Sequence, residues 1–429
     1  MLKNTVLKIA QKTLLLAFLL CLTSLSFTLP LRSALAHENN IQFLHWWNSA
    51  GEVKSIDVLN THLNRHNLHW PEQEPSYGTT AAYLANIAEQ LQTSGRPDAA
   101  MMVSSDIRNY EKEFPLLHLD AVANEQGWDE IVPYAIQDTA KYQGHWVSAP
   151  INSHSTNWLW INKKLFSRLN LPEPENWDDL ITVLEAAKAL GIPTLATLND
   201  DWEKTLLFEL VVMSTGGLEF YRRFFVDHHF NEDDQNILKE SFIHLKQLSQ
   251  YFTAATHGTN WHQHSALLAQ EKLLMQVHGS WVNSELTTLG AQAGEDYLCL
   301  RFPGTQGAYL FHSDQVIFFN EPHNSIDNQH QLARILLDKE FQRELSIASG
   351  ASPARVDIDT KGFNSCSKKS IHDLRMANMR RAVMASLSSK ELFKVVDDFL
   401  DNQISAEIAA QHVLAILHKR SQSKQFTDE

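Results

Sequence analysis

The chain has 429 residues, 44% of them hydrophobic and 20% charged, with a formal net charge of −14. That composition is ordinary for a globular protein, and the length exceeds one core at about 150 residues per domain, so two domains are expected. An acidic surface repels phosphates, which argues against nucleic acid or an anionic membrane surface as partner.

The first residues set the compartment. Lys3, Lys8 and Lys12 precede an apolar run from Thr13 to Leu29, and Ala34-Leu35-Ala36 offers small residues for cleavage. This is the three-part layout of a secretory signal peptide, so residues 1–36 are expected to be removed and the protein to be periplasmic. The run is only marginally long enough to span a membrane, and no second one follows. Leu20 before Cys21 is too large for a lipoprotein site. With the leader gone, Cys299 and Cys366 remain. Two lone cysteines in an oxidising compartment are expected to pair, two buried thiols being the alternative.

Taken in chain order, segments alternate between strand and helix character. Residues 41–47 form a first strand, 54–66 a helix with Ile56, Leu59 and Leu63 on one face, 83–91 a second helix and 98–103 a second strand. The same rhythm recurs from Trp158 to Leu195, with Asn176 capping a helix that Gly191-Ile192-Pro193 ends before a strand at 194–196. Such βαβ units predict an α/β protein with a mainly parallel sheet and helices on both faces. Residues 205–278 are mostly helical, with Phe242, Leu245, Leu248 and Phe252 on one face. Strands are expected at 273–277 and 315–319, and from His330 onward the pattern is helical apart from a loop at 349–367. The absence of a flexible linker suggests that the chain passes between its two domains more than once.

Signatures of catalysis are missing. There is no Gly-x-Ser-x-Gly elbow, Walker A loop, His-Glu-x-x-His or Gly-x-Gly-x-x-Gly, so no enzyme, no catalytic residue and no cofactor is expected. Among the 21 histidines, the clusters His228-His229 and His257…His262-x-His264 are expected to be solvated surface groups. Residues i and i+2 at a helix start do not share a face, and zinc needs three or four convergent ligands, so no metal is assigned.

Eleven tryptophans are the positive signal. Trp46, Trp47, Trp202, Trp261 and Trp281 fall at expected turns or element ends, whereas Trp128, Trp146, Trp160 and Trp177 read as core. Indole faces stack on the C–H faces of sugar rings while carboxylates and amides take the hydroxyls.

The chain resembles family 1 of the extracellular solute-binding proteins, in particular its glucose/mannose-binding group. The markers are His45-Trp46-Trp47-Asn48-Ser49-Ala50-Gly51-Glu52, Arg96-Pro97-Asp98-Ala99-Ala100, Ala149-Pro150-Ile151-Asn152-Ser153-His154 and Pro174-Glu175-Asn176-Trp177-Asp178-Asp179-Leu180. They continue with Gly279-Ser280-Trp281, Pro303-Gly304-Thr305-Gln306-Gly307-Ala308 and Gly350-Ala351-Ser352-Pro353-Ala354-Arg355. The resemblance implies a two-lobed clamp of the periplasmic-binding-protein type, residues 37–150 with 314–352 forming the N-terminal lobe and 151–313 with 353–429 the C-terminal lobe. It implies crossings near 149–152, 311–314 and 352–355, and it supports pairing of Cys299 with Cys366.

By the same resemblance Trp47, Glu52, Trp261, Trp281 and Asp314 match positions lining a sugar cleft. The full expected ligand-binding set adds Trp46, Met101, His154, Trp202, Ser349 and Arg355. The chain departs from sugar-binding relatives at Met101 and Val103, where they tend to carry Gln and His. It departs also at Ser349 (their Lys), Met384 (their His) and Ser280 (their Asp). The implied function is capture of a sugar-like solute for the permease of an ABC importer by a monomeric protein. The departures leave a second possibility, a sensor or accessory module docking on a signalling receptor.

Overall fold

The helix at Ala50–Arg65 shows how local chemistry sets the elements. Ser49 stands at its N-cap, Glu52 three residues on returns the bond to the Ser49 amide at 2.9 Å, and Ile56, Leu59 and Leu63 are buried on one face. In the same way Asn176 Oδ1 accepts from Asp179 N at 3.0 Å and starts the helix Trp177–Ala189, as expected from the sequence. The computed structural model describes residues 39–71, 80–92, 97–104, 107, 114–382 and 390–425. The expected leader and Met384 lie outside them. Among the described residues no helix is long and apolar enough to cross a membrane.

The strands differ in part from expectation. Residues 41–47 contribute only Phe43–Leu44, and the expected strand at 194–196 is reduced to isolated bridges from Leu195 to Phe252 and Met275. Tyr297–Arg301, Ala308–His312 and Met379–Ala382 are strands without a clean alternation to announce them.

The sheets are mixed rather than mainly parallel. In the first lobe the order is Phe43–Leu44, Ala99–Val103, Asp314–Phe318, Ser148–Pro150, and only the first pair is parallel. In the second lobe Trp158–Asn162 lies between Met275–His278 and Tyr297–Arg301, antiparallel to both. A third sheet sets Ala308–His312 parallel to Met379–Ala382 and antiparallel to His154–Ser155. The βαβ rhythm is obeyed from residue 43 to 103. The parallel expectation fails where Asp314–Phe318 returns from the other lobe and enters its sheet from the opposite end.

Each lobe has its own core. Ala99 and Met101 point to one side of their strand, into a core with Trp47, Leu59, Trp128 and Phe341, while Ala100 and Met102 point to the other, against Tyr83 and Phe319. The second lobe is built on Leu159, Phe208, Val211, Phe242 and Met275. Crossing segments lie side by side between them. Ser153 and Ser352 exchange backbone hydrogen bonds at 2.8 and 2.9 Å, Ile151 N donates to Asp314 O at 2.9 Å, and Ser313 Oγ donates to Asn152 O at 2.6 Å.

The expected disulfide is present. Cys299 is bonded to Cys366, with Cα atoms 5.9 Å apart, and so ties strand Tyr297–Arg301 to helix Ser365–Met376. Beside it the Arg301 guanidinium is buried over the Trp158 ring at 3.7 Å and donates to Asp373 at 2.7 and 2.9 Å and to Asn157 Oδ1 at 2.8 Å. A cation out of water is tolerable only with such a full set of partners.

Candidate functional site

Three of the expected tryptophans converge because each stands at the start of a helix. Trp202 is the second residue of Asp201–Tyr221, where Glu203 Oε2 accepts from Asn199 N at 2.9 Å and Asp200 N at 3.2 Å. Trp261 opens Trp261–Ala269, capped reciprocally by Asn260 and Gln263. Trp281 opens Trp281–Thr288. Their rings pack around His278, whose centroid is 5.2 Å from Trp202, 5.6 Å from Trp261 and 5.0 Å from Trp281. The imidazole is fixed in one tautomer. Gly279 N donates to its Nδ1 at 3.0 Å, so Nε2 carries the hydrogen and donates to Glu203 Oε1 at 3.1 Å. Burial works against the charge on Glu203, but His278 and the two backbone amides outweigh it and hold the carboxyl below its usual range.

The crossing segments supply the opposite wall. Asp314 Oδ2 accepts from Asn152 Nδ2 at 2.8 Å, and Asp314 N donates to Asn152 Oδ1 at 3.0 Å. His312 stacks on Trp281 with centroids 5.1 Å apart and planes at 30°, and His154 meets the same indole edge-on at 5.4 Å. Burial pushes the Asp314 carboxyl up to about 7, with the neighbouring Glu52 adding to the effect. Burial pushes His312 down to about 4 and His154 well below its ordinary value. Near neutral pH the two histidines are therefore uncharged aromatic surfaces with polar edges.

Ser280, His154 and Asp314 do not form a nucleophile relay. His154 Nδ1 lies 3.0 Å from Ser280 Oγ, but its Nε2 is 3.7 Å from Asp314 Oδ2, beyond hydrogen-bond reach. The chemistry on offer is aromatic stacking with a few fixed polar atoms.

The lobes touch directly beside this cluster. Glu285 Oε1 accepts from Gly51 N at 2.8 Å, placing a carboxylate on the N-terminus of helix Ala50–Arg65, and Ser284 Oγ donates to Ala348 O at 2.5 Å. Two glycines permit the approach. A Cβ on Gly51 would lie 2.6 Å from Ser284 Oγ, and one on Gly350, at φ +72°, would lie 2.9 Å from Ser280 O. Asp314 is 3% exposed, His154 6% and Trp281 8%, whereas Trp202 at 38% stands at the rim.

The other expected site residues are placed differently. Glu52 is within electrostatic reach of Asp314, but its Oε2 caps its own helix by accepting from Asn48 N and Ser49 N, so at most one carboxylate oxygen is left for a ligand. Trp46 packs edge-on against Tyr83 at 5.4 Å, and Trp47 is buried in the first core with His45 as ring neighbour. Met101 is fully buried in that core and faces no solvent. Ser349 Oγ accepts from Ala351 N at 3.2 Å, and Arg355 grips Asp357 through two bonds of 2.9 Å. Trp46, Trp47 and Met101 thus pack with the first lobe's own cores, whereas Ser349 stands between Ala348 and Gly350 at the contact between the lobes.

Conversely, His278, Glu203, His312 and Asn152 belong to the cluster without having been singled out as ligand contacts. His312-x-Asp314 is the one usable signal, since i and i+2 in extended chain share a face. The expectation of solvated histidines is corrected at His264, which is 1% exposed and lies 2.9 Å from Thr259 Oγ1 and 3.1 Å from Thr256 O. It braces the loop that leads into Trp261.

Comparisons with known proteins identify the family and the fold. Residues 74–292 match the family model described as bacterial extracellular solute-binding protein. A probable sugar-binding periplasmic protein of Brucella suis is 32% identical over 387 residues, covering 88% of this chain and 92% of its own. A probable sugar-binding periplasmic protein of Mesorhizobium japonicum is 34% identical, over 85% of this chain and 88% of its own. Among solved structures, a chitin oligosaccharide binding protein superposes with a TM-score of 0.73 over 90% of this chain and 100% of its own, at 17% identity, a likeness of fold.

Proposed function

The chain belongs to the bacterial extracellular solute-binding proteins, and we propose from this that it captures a sugar-like solute between its lobes and delivers it to the permease of an ABC importer. The observation that carries the proposal is the convergence of Trp202, Trp261 and Trp281 on His278, facing Asp314 and His154 from the crossing segments. Indole faces would stack on the ring, and Asp314 with one oxygen of Glu52 would accept hydroxyl protons. The names of the relatives support the ligand class and a periplasmic location, which the leader at residues 1–36 would serve. The lobes would comprise residues 37–150 with 314–352 and 151–313 with 353–429, a division supported by the origin of the strands in the two main sheets.

With Trp281 and Asp314 covered and Glu285 latched to Gly51, entry of a solute requires the lobes to part. The solute then biases the hinge equilibrium toward closure by the contacts it makes to both sides. Met101, turned into the core, does not oppose an apolar group to the ligand in this arrangement.

Thermal-shift screening against mono- and disaccharides tests the proposal. A matching sugar at about 100 times its dissociation constant adds about 2.7 kcal/mol of stability. A flat response to the whole panel would remove sugar as the ligand class.

A further inference from the structure

No metal is expected from the sequence, whose histidine clusters lie elsewhere. On the surface of the first lobe, however, three residues with no recognisable spacing come together. We propose that His118, Asp120 and His145 form a binding site for a divalent transition metal of the zinc type. Each offers one ligand atom, and these atoms lie within 4.8 Å of one another. His118 and His145 are stacked with centroids 4.7 Å apart and planes at 20°, and His145 Nδ1 is 2.7 Å from Asp120 Oδ2.

The scaffold under the cluster is fixed by other bonds. Leu119 N donates to Trp146 O at 2.8 Å, and Trp146 N donates to Asp120 Oδ1 at 3.0 Å. These hold the start of helix Asp120–Gln126 against the hairpin formed by Lys141–Tyr142 and His145–Trp146. The ligands therefore come from two elements whose relative position does not depend on the metal.

Two imidazoles and a carboxylate are the donor set that zinc takes in open sites, with a fourth position for water. Bonds of about 2.0–2.2 Å put tetrahedral ligand atoms about 3.3 Å apart. The His145–Asp120 contact has to open slightly, and no pair has to close by more than about 1.5 Å. Side-chain rotation suffices, because the His145 and Asp120 side chains are 53% and 36% exposed. Oxygen-loving ions such as magnesium are disfavoured by the two nitrogen donors. A bound metal would pin the hairpin to the helix start at a face separate from the indole cluster.

Calorimetric titration of the untagged, chelator-treated protein with Zn2+ tests the site. The expected result is one tight equivalent, weakened at least tenfold in His118→Ala, in His145→Ala and in Asp120→Asn. The double variant His228→Ala/His229→Ala, away from the site, keeps it. Titration with Co2+ adds a readout independent of affinity, a visible absorption of low-symmetry cobalt that the His118→Ala variant loses. The absence of a single-equivalent isotherm, or equal affinity in wild type and the His118 and His145 variants, would overturn the proposal.

Discussion

Trp281→Ala is expected to abolish solute capture and to lower folding stability by about 3–5 kcal/mol, the cost of a large-to-small change at a packed aromatic site. The side chain is 8% exposed and meets Trp202, Trp261, His278, His154 and His312, so its removal leaves a cavity bounded by five rings. Denaturant unfolding measures the stability loss and calorimetry the loss of binding. Two effects of one substitution are separable by a neighbour. Trp202 lies at the rim, 38% exposed, and Trp202→Ala removes a stacking face while leaving most of the core contacts of its helix in place. An unfolding curve for Trp281→Ala that overlays wild type would show that the indole is not packed as described.

The second large effect concerns pH. Burial pushes the Asp314 carboxyl up to about 7, against about 3.9 for an ordinary aspartate, so the folded state holds its proton over a window where the unfolded chain has released it. Stability from this group is complete below the unfolded value and is lost as pH rises, the full cost of roughly 4 kcal/mol being reached above about 7. Asp314→Asn has no proton to lose. The amide oxygen still accepts from Asn152 Nδ2, and the variant is expected to match wild type near pH 4 and to exceed it at pH 8.

The groups facing Asp314 complicate the absolute curve. His154 and His312, whose values are lowered by burial, contribute the opposite slope across the same window, and Glu52 is raised like Asp314. All three remain in the variant, which is why the difference between the two proteins is the informative quantity. Thermal melts from pH 4 to 8 measure it. A difference that stays constant with pH would show that the Asp314 carboxyl keeps its ordinary value on folding and is solvated.

Much of this was legible in the residues. Trp202, Trp261 and Trp281 were expected at turns or element ends, and each does stand at a helix start, but their convergence depends on how those helices pack and is not written in their spacing. The disulfide followed from two cysteines left in an oxidising compartment. What could not be read was the partner of each side chain. Arg355 stands in a family-like stretch, yet its guanidinium is satisfied by Asp357 two residues away. Met101 sits next to Met102 in one strand, and alternation alone does not say which face of a two-sided sheet a ligand would meet. His278 and Glu203 are 75 residues apart and form a pair only because a strand end and a helix start meet in space. Mixed strand direction was hidden for the same reason: it depends on where the returning chain enters, not on any local pattern.

Capture requires a carbohydrate ring to lie against indole faces between the lobes. Titration of the best-stabilising sugar into wild type and Trp202→Ala tests this most directly, since the exposed indole can be removed without emptying the core. Saturable binding to wild type is expected, with an affinity at least tenfold weaker in the variant. Equal affinity in two equally folded proteins would contradict it.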